Sequence, residues 1–159
     1  MNSSMALPRD MSRPGAAIGS AGLVSGTLDI TAAFVVYGFF GAQPIPILHG
    51  IAAGLLGPRA HQGGMATAVL GLACHYFIAF SAATVYYMAS RWFPLLIERA
   101  VVCGVLYGVT VYFFMNRIVV PLSAARKSPF SWEMMFIGIA IHIVCVGLPI
   151  ALLVRRFSA

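Results

Sequence analysis

Ile18-Gly-Ser-Ala-Gly-Leu-Val-Ser-Gly-Thr-Leu-Asp-Ile-Thr-Ala-Ala-Phe-Val-Val-Tyr-Gly-Phe-Phe40 decides the fold. The stretch is predominantly apolar. As a helix it is long enough to cross a bilayer core of about 30 Å, which takes about 20 residues. Three more stretches of the same kind follow, at roughly residues 65–89, 97–119 and 132–154. Asp29 sits near the middle of the first. A carboxyl at the bilayer centre costs about 2.5–3.5 kcal/mol on insertion scales, so Asp29 is expected to have a partner or a job.

Composition points the same way. Hydrophobic residues make up 60% of the chain and charged residues 9%, against about 25% charged in a soluble domain. The net charge of +6 comes from Lys and Arg scattered at segment ends. That is the pattern of membrane anchors, not of a phosphate-binding face, and nucleic acid is not an expected partner. The expected partners are the lipid bilayer and other membrane subunits or a second copy of the chain. Cys74, Cys103 and Cys145 all fall inside the stretches, which argues against a disulfide framework. Arg9 and Arg13 precede a stretch too long for a signal-peptide core and containing Asp29, so it reads as an uncleaved first span.

The connections are short. Residues 1–17 read as a flexible cytoplasmic tail and 155–159 as a basic cytoplasmic end. Trp92 and Trp132 stand at span ends, where indoles favour the headgroup layer. With both termini inside, the inner side collects Arg9, Arg13, Arg91, Arg99, Arg155 and Arg156. The outer side collects Arg59, Arg117, Arg126 and Lys127. This asymmetry favours cytoplasmic termini. Between the first two spans, Pro44 to Gly57 is apolar and helix-like over about 46–56, yet too short to cross. It predicts an extra short helix, interfacial or re-entrant. Its Gly50, Gly54 and Gly57 share one side, which is expected to pack on a span.

Small residues are ordered along every span. Gly15, Gly19, Gly22, Gly26, Asp29 and Ala33 step by three and four, as do Gly64, Ala68, Gly71, His75, Ala79, Ala82 and Tyr86. The third span has Gly104, Gly108, Tyr112 and Asn116, and the fourth has Gly138, His142, Cys145 and Pro149. Such stripes let helices approach closely in lipid, so these faces are expected to point inward.

Each stripe carries a polar residue. Asp29, His75 and His142 fall near mid-depth, with Cys145 one turn from His142. Asn116 lies about 12 Å from the middle at 1.5 Å per residue, close to Arg117 and the loop residues Arg59 and His61. Asp29, His75, His142 and Asn116 are therefore the candidate binding residues. Three readings stand side by side. Asp29 hydrogen-bonds an imidazole and ties two helices together, or it forms a proton or solute site. In the third reading His75 and His142, with Cys145, hold a haem or a metal ion. No His-x-x-His or Cys-x-x-Cys spacing reinforces that last one. His49 and His61 read as interfacial or solvated. Glu98 and Glu133 read as first-turn acids of the third and fourth spans. No catalytic motif is present to identify an enzyme.

Gly26-Thr-Leu-Asp-Ile30, Ile51-Ala-Ala-Gly-Leu-Leu-Gly57, Leu72-Ala-Cys-His-Tyr-Phe-Ile-Ala-Phe80, Val85-Tyr-Tyr-Met-Ala-Ser-Arg91 and Val119-Val-Pro-Leu-Ser123 form a string. Together with Gly63-Gly64 and the run from Tyr107 to Asn116, it resembles an uncharacterised family of small four-helix bacterial inner-membrane proteins. The resemblance covers about residues 23–123. It implies a bacterial inner membrane and a four-helix layout, and implies no activity. The expected fold is all-α, a four-helix transmembrane bundle with one extra short helix. The expected function is that of a non-catalytic accessory subunit or modest transport element, without a cofactor. The rival is a haem- or metal-bearing redox protein using His75 and His142.

Overall fold

The computed structural model describes residues 13–126 and 129–158. Residues 1–12 of the expected tail, Lys127 and Ala159 lie outside the described residues. Every regular element among the described residues is helical. They are α1 (Pro14–Phe39), α2 (Pro44–Leu56), α3 (Gly64–Trp92), α4 (Leu95–Glu98), α5 (Ala100–Leu122) and α6 (Trp132–Ser158). Four of them, α1, α3, α5 and α6, are long and apolar enough to cross a membrane.

Local chemistry sets the boundaries. Pro14 occupies the first turn of α1, where its fixed φ suits a helix and its missing N–H costs nothing. Residues 14–17 are therefore helical, and not part of a tail. Ser131 caps α6, its Oγ accepting from the Met134 N–H at 3.4 Å, with Glu133 in the first turn. The third span starts later than the sequence suggests. Leu95–Glu98 is a separate single turn after Pro94, ended by Arg99 at φ −111°, ψ 41°. Glu98 thus closes α4 and does not open α5. Between α2 and α3 a 3-10 turn runs from Gly57 to Gln62. Gly57 ends α2 at φ 62°, a left-handed backbone that glycine adopts without penalty.

Both α5 and α6 contain a π turn, at Met115–Val119 and His142–Gly147. A π turn takes one extra residue into the helix and is frequent at functional sites.

α1 packs along α3 on one flank and along α6 on the other; α5 packs on α6, and α2 lies on α3. Small residues set the closeness. A Cβ on Gly108 would stand 2.6 Å from the His142 carbonyl oxygen, and one on Gly104 would stand 3.0 Å from that of Gly147. Gly147 in turn abuts the Gly104 carbonyl, and Gly71 of α3 abuts the Leu48 carbonyl of α2. On α1, Gly22 and Gly26 lie under the rings of Phe80 and Tyr76, whereas Gly15 and Gly19 face nothing within 4 Å.

α2 does not pack as its glycines suggest. Gly50 is open, and a Cβ on Gly54 would meet only Ser123, at 3.8 Å. The buried side carries His49, Ala52 and Ala53. The small residue at this crossing is Gly71, so α2 needs no glycine face of its own.

The largest buried cluster gathers Ala21, Tyr86, Ala100, Ile150, Ala151 and Val154, at the end of the molecule that holds α4. Here α3 and α5 meet through Tyr86 and Tyr107, ring centroids 4.9 Å apart. The Tyr107 hydroxyl donates to the Ala82 carbonyl at 2.7 Å, and that of Tyr86 to Leu96 at 2.9 Å. Towards α2 the two helices part. A lateral apolar cavity of about 500 Å³ opens there, lined by Leu55, Cys74, Phe77 and Val119 among others.

Candidate functional site

Two polar seams run along α1. The first faces α3. Its Gly26 has no side chain, so the α3 rings reach the α1 backbone. His75 Nε2 donates to the Gly26 carbonyl oxygen at 2.8 Å. The next residue, Tyr76, shares a 2.8 Å hydrogen bond with the Thr27 hydroxyl, and the two rings meet edge to face with centroids 5.7 Å apart. Each polar side chain of this seam has a partner on the opposite helix. A carbonyl oxygen only accepts, so Nε2 carries the proton.

The second seam faces α6. The α3 seam is centred between Gly26 and Thr27; Asp29, two residues beyond Thr27, points about 160° away from the side chain that bonds Tyr76. Its carboxyl lies within electrostatic range of the Cys145 thiol, on the π turn of α6 that packs against α1. Asp29 is half-buried. It has no hydrogen bond and no ion pair among the described residues. The expected Asp29–His75 bond is not formed: depth along the span brings the two together, and azimuth separates them.

From Cys145 the polar character continues. His142 lies three residues earlier on the same π turn and holds its own helix through Nδ1 to the Gly138 carbonyl at 2.9 Å. Its ring meets Tyr112 of α5 edge to face, with centroids 5.4 Å apart. Tyr112 is within electrostatic range of Tyr37 and Arg117. Asn116 donates to the Tyr112 carbonyl at 2.9 Å and is exposed, so it decorates the end of this track and does not enter the core. Asp29, Cys145, His142, Tyr112 and Arg117 are thus a series of polar side chains, the polar track, spread from the middle of α1 towards the end of α5 near α2; within it His142 and Tyr112 are in ring contact, and Asp29–Cys145 and Tyr112–Arg117 are within electrostatic range.

His75 and His142 belong to different seams. One is bound to α1 and the other stacks on α5, and no described contact joins them. Among the described residues there is no group of three or more His, Cys, Asp or Glu side chains arranged to hold a metal ion.

Two features escape a reading by period. Gly147 stands five positions after His142, off the three-and-four stripe, because the π turn inserts a residue. His49 is 7% exposed and bonds the Gly64 carbonyl at 2.8 Å, so it is buried and not solvated. Its signal was the adjacency of Ala52 and Ala53, which share its side of α2. No family model, curated protein or solved structure matches the chain.

Proposed function

We propose that the chain is a four-helix bundle of the bacterial inner membrane, with both termini cytoplasmic, and that it acts as a modest transport element, alone or as a small subunit. Asp29 is its proton-accepting group. One observation carries this reading: a half-buried carboxyl near the middle of a membrane-length helix, without a hydrogen-bond partner among the described residues. A carboxyl kept for structure is expected to be tied down, as His75 is. One that takes up and releases a proton needs room to do so. The neutral acid is tolerated at depth, and the charged form is stabilised only transiently. The track through Cys145, His142 and Tyr112 supplies polar groups towards one mouth, and the π turn beside Asp29 supplies a locally irregular backbone.

Purified protein in liposomes with an imposed potential tests the reading. Wild type should carry protons faster than empty vesicles, and Asp29→Asn should lower the rate to the empty-vesicle level while its helical signal is unchanged. A wild-type rate equal to that of empty vesicles, or an Asp29→Asn rate equal to wild type, overturns it.

A further inference from the structure

We infer that His49 and His61 form a binding site for a divalent transition-metal ion such as Zn(II), at the corner where α2 turns into α3. The two rings lie with centroids 6.0 Å apart and planes at 87°. Metal–imidazole bonds of about 2.0–2.1 Å place two ring centroids about 5 Å apart across a tetrahedral centre and about 6 Å apart across a linear one. With water in the remaining positions the tetrahedral case applies, and the rings must close by about 1 Å. His61 is exposed on the 3-10 turn, so its side chain has room to rotate towards His49.

His49 has the preparation that a ligand needs. Its Nε2–H is held by the Gly64 carbonyl at 2.8 Å. In neutral imidazole the remaining lone pair is then on Nδ1, and no described residue donates to it. Fixing one ring nitrogen on a backbone carbonyl is the usual second contact of a metal-bound histidine; it sets the tautomer and orients the ring. The acceptor is itself fixed. The Thr67 hydroxyl lies 3.0 Å from the same Gly64 oxygen and donates to Ala60 at 2.8 Å, tying the 3-10 turn to α3. The corner is thus rigid on the His49 side and adjustable on the His61 side.

With two protein ligands, water must fill the other positions. Closed sites hold a structural ion with four protein ligands; two imidazoles hold it less tightly. This site is therefore one for reversible loading. It is separate from Asp29, which lies on another seam, so its test does not depend on the proton reading.

The test uses the full-length, tag-free chain in detergent. Zn(II) binding is followed by calorimetry, with Co(II) as the spectroscopic probe. The expected result is one saturable equivalent, and a Co(II) visible spectrum showing nitrogen ligation. His61→Gln should weaken binding by about tenfold or more without changing metal-free thermal stability, since His61 is exposed. His142→Gln should leave binding unchanged. His49→Gln should also abolish binding; if that variant fails to fold, His61→Gln decides. Absence of saturable uptake by wild type overturns the site, as does equal affinity in His61→Gln, which would mean that the rings merely pack edge to face.

Discussion

The two flanks of α1 hold the same kinds of residue and treat them in opposite ways. Towards α3, two polar side chains reach across: His75 to the Gly26 carbonyl, Tyr76 to Thr27. Towards α6, Asp29 lies within electrostatic range of the Cys145 thiol and has no hydrogen bond among the described residues. The first flank is adhesive. The second tolerates a carboxyl that contributes nothing visible to cohesion. Polar residues at one depth of one helix therefore serve two ends, and their azimuth decides which.

The sharpest way to break the adhesive flank is Gly26→Leu. A Cβ there would already stand 2.8 Å from the Tyr76 ring and 3.2 Å from the Ala79 Cβ. The ring cannot withdraw without releasing Thr27. Overpacking of this kind costs about 2–3 kcal/mol, and a thermal melt in detergent should show a large drop. An unchanged melting temperature would mean that α1 and α3 are not closely apposed. On the other flank the sign should reverse. Asp29→Leu removes a carboxyl without a hydrogen bond, and stability should rise by about 1–2 kcal/mol while proton transport is lost, the trade expected of a functional group. A fall in stability would show that Asp29 is cohesive after all, and the contrast between the flanks would vanish. The smallest effect belongs to Thr27→Val. It removes one interhelical hydrogen bond, and such bonds average about 0.6 kcal/mol in membranes. Tyr76 should become more mobile by NMR with the fold intact.

Much of this architecture is legible in the sequence, for a simple reason. Hydropathy sums over local residues, so four stretches of membrane length are visible without any knowledge of packing. Gly104 and Gly108, and Gly22 and Gly26, lie on stripes that do face neighbours. The site was half legible. Counting residues gives depth, and depth put Asp29 beside His75. Which helix stands on which side of α1 is a property of the assembled chain, and it sent His75 to Gly26 and Asp29 to Cys145. The π turns left no trace, because a shifted backbone hydrogen bond has no compositional signature. The packing of α2 differs from its glycine pattern for a related reason: glycines on one helix do not show whether the neighbour has already supplied the small residue, as Gly71 does.

The π turn at His142–Gly147 also bears on the length of the chain. A straight α-helix that loses a residue rotates everything beyond by about 100°. In α6 that would turn Ile150, Ala151 and Val154 out of the cluster they fill. A π turn is a helix with one residue more than its hydrogen-bond ladder requires. Removing one there restores the regular ladder and leaves both flanks in phase. α6 thus has a site where insertion and deletion are geometrically silent for its ends, and it lies opposite the residue proposed to do the work. Lengths of related chains should vary at this turn more readily than anywhere else in the helix, with any change in function read at Asp29 and not in the core.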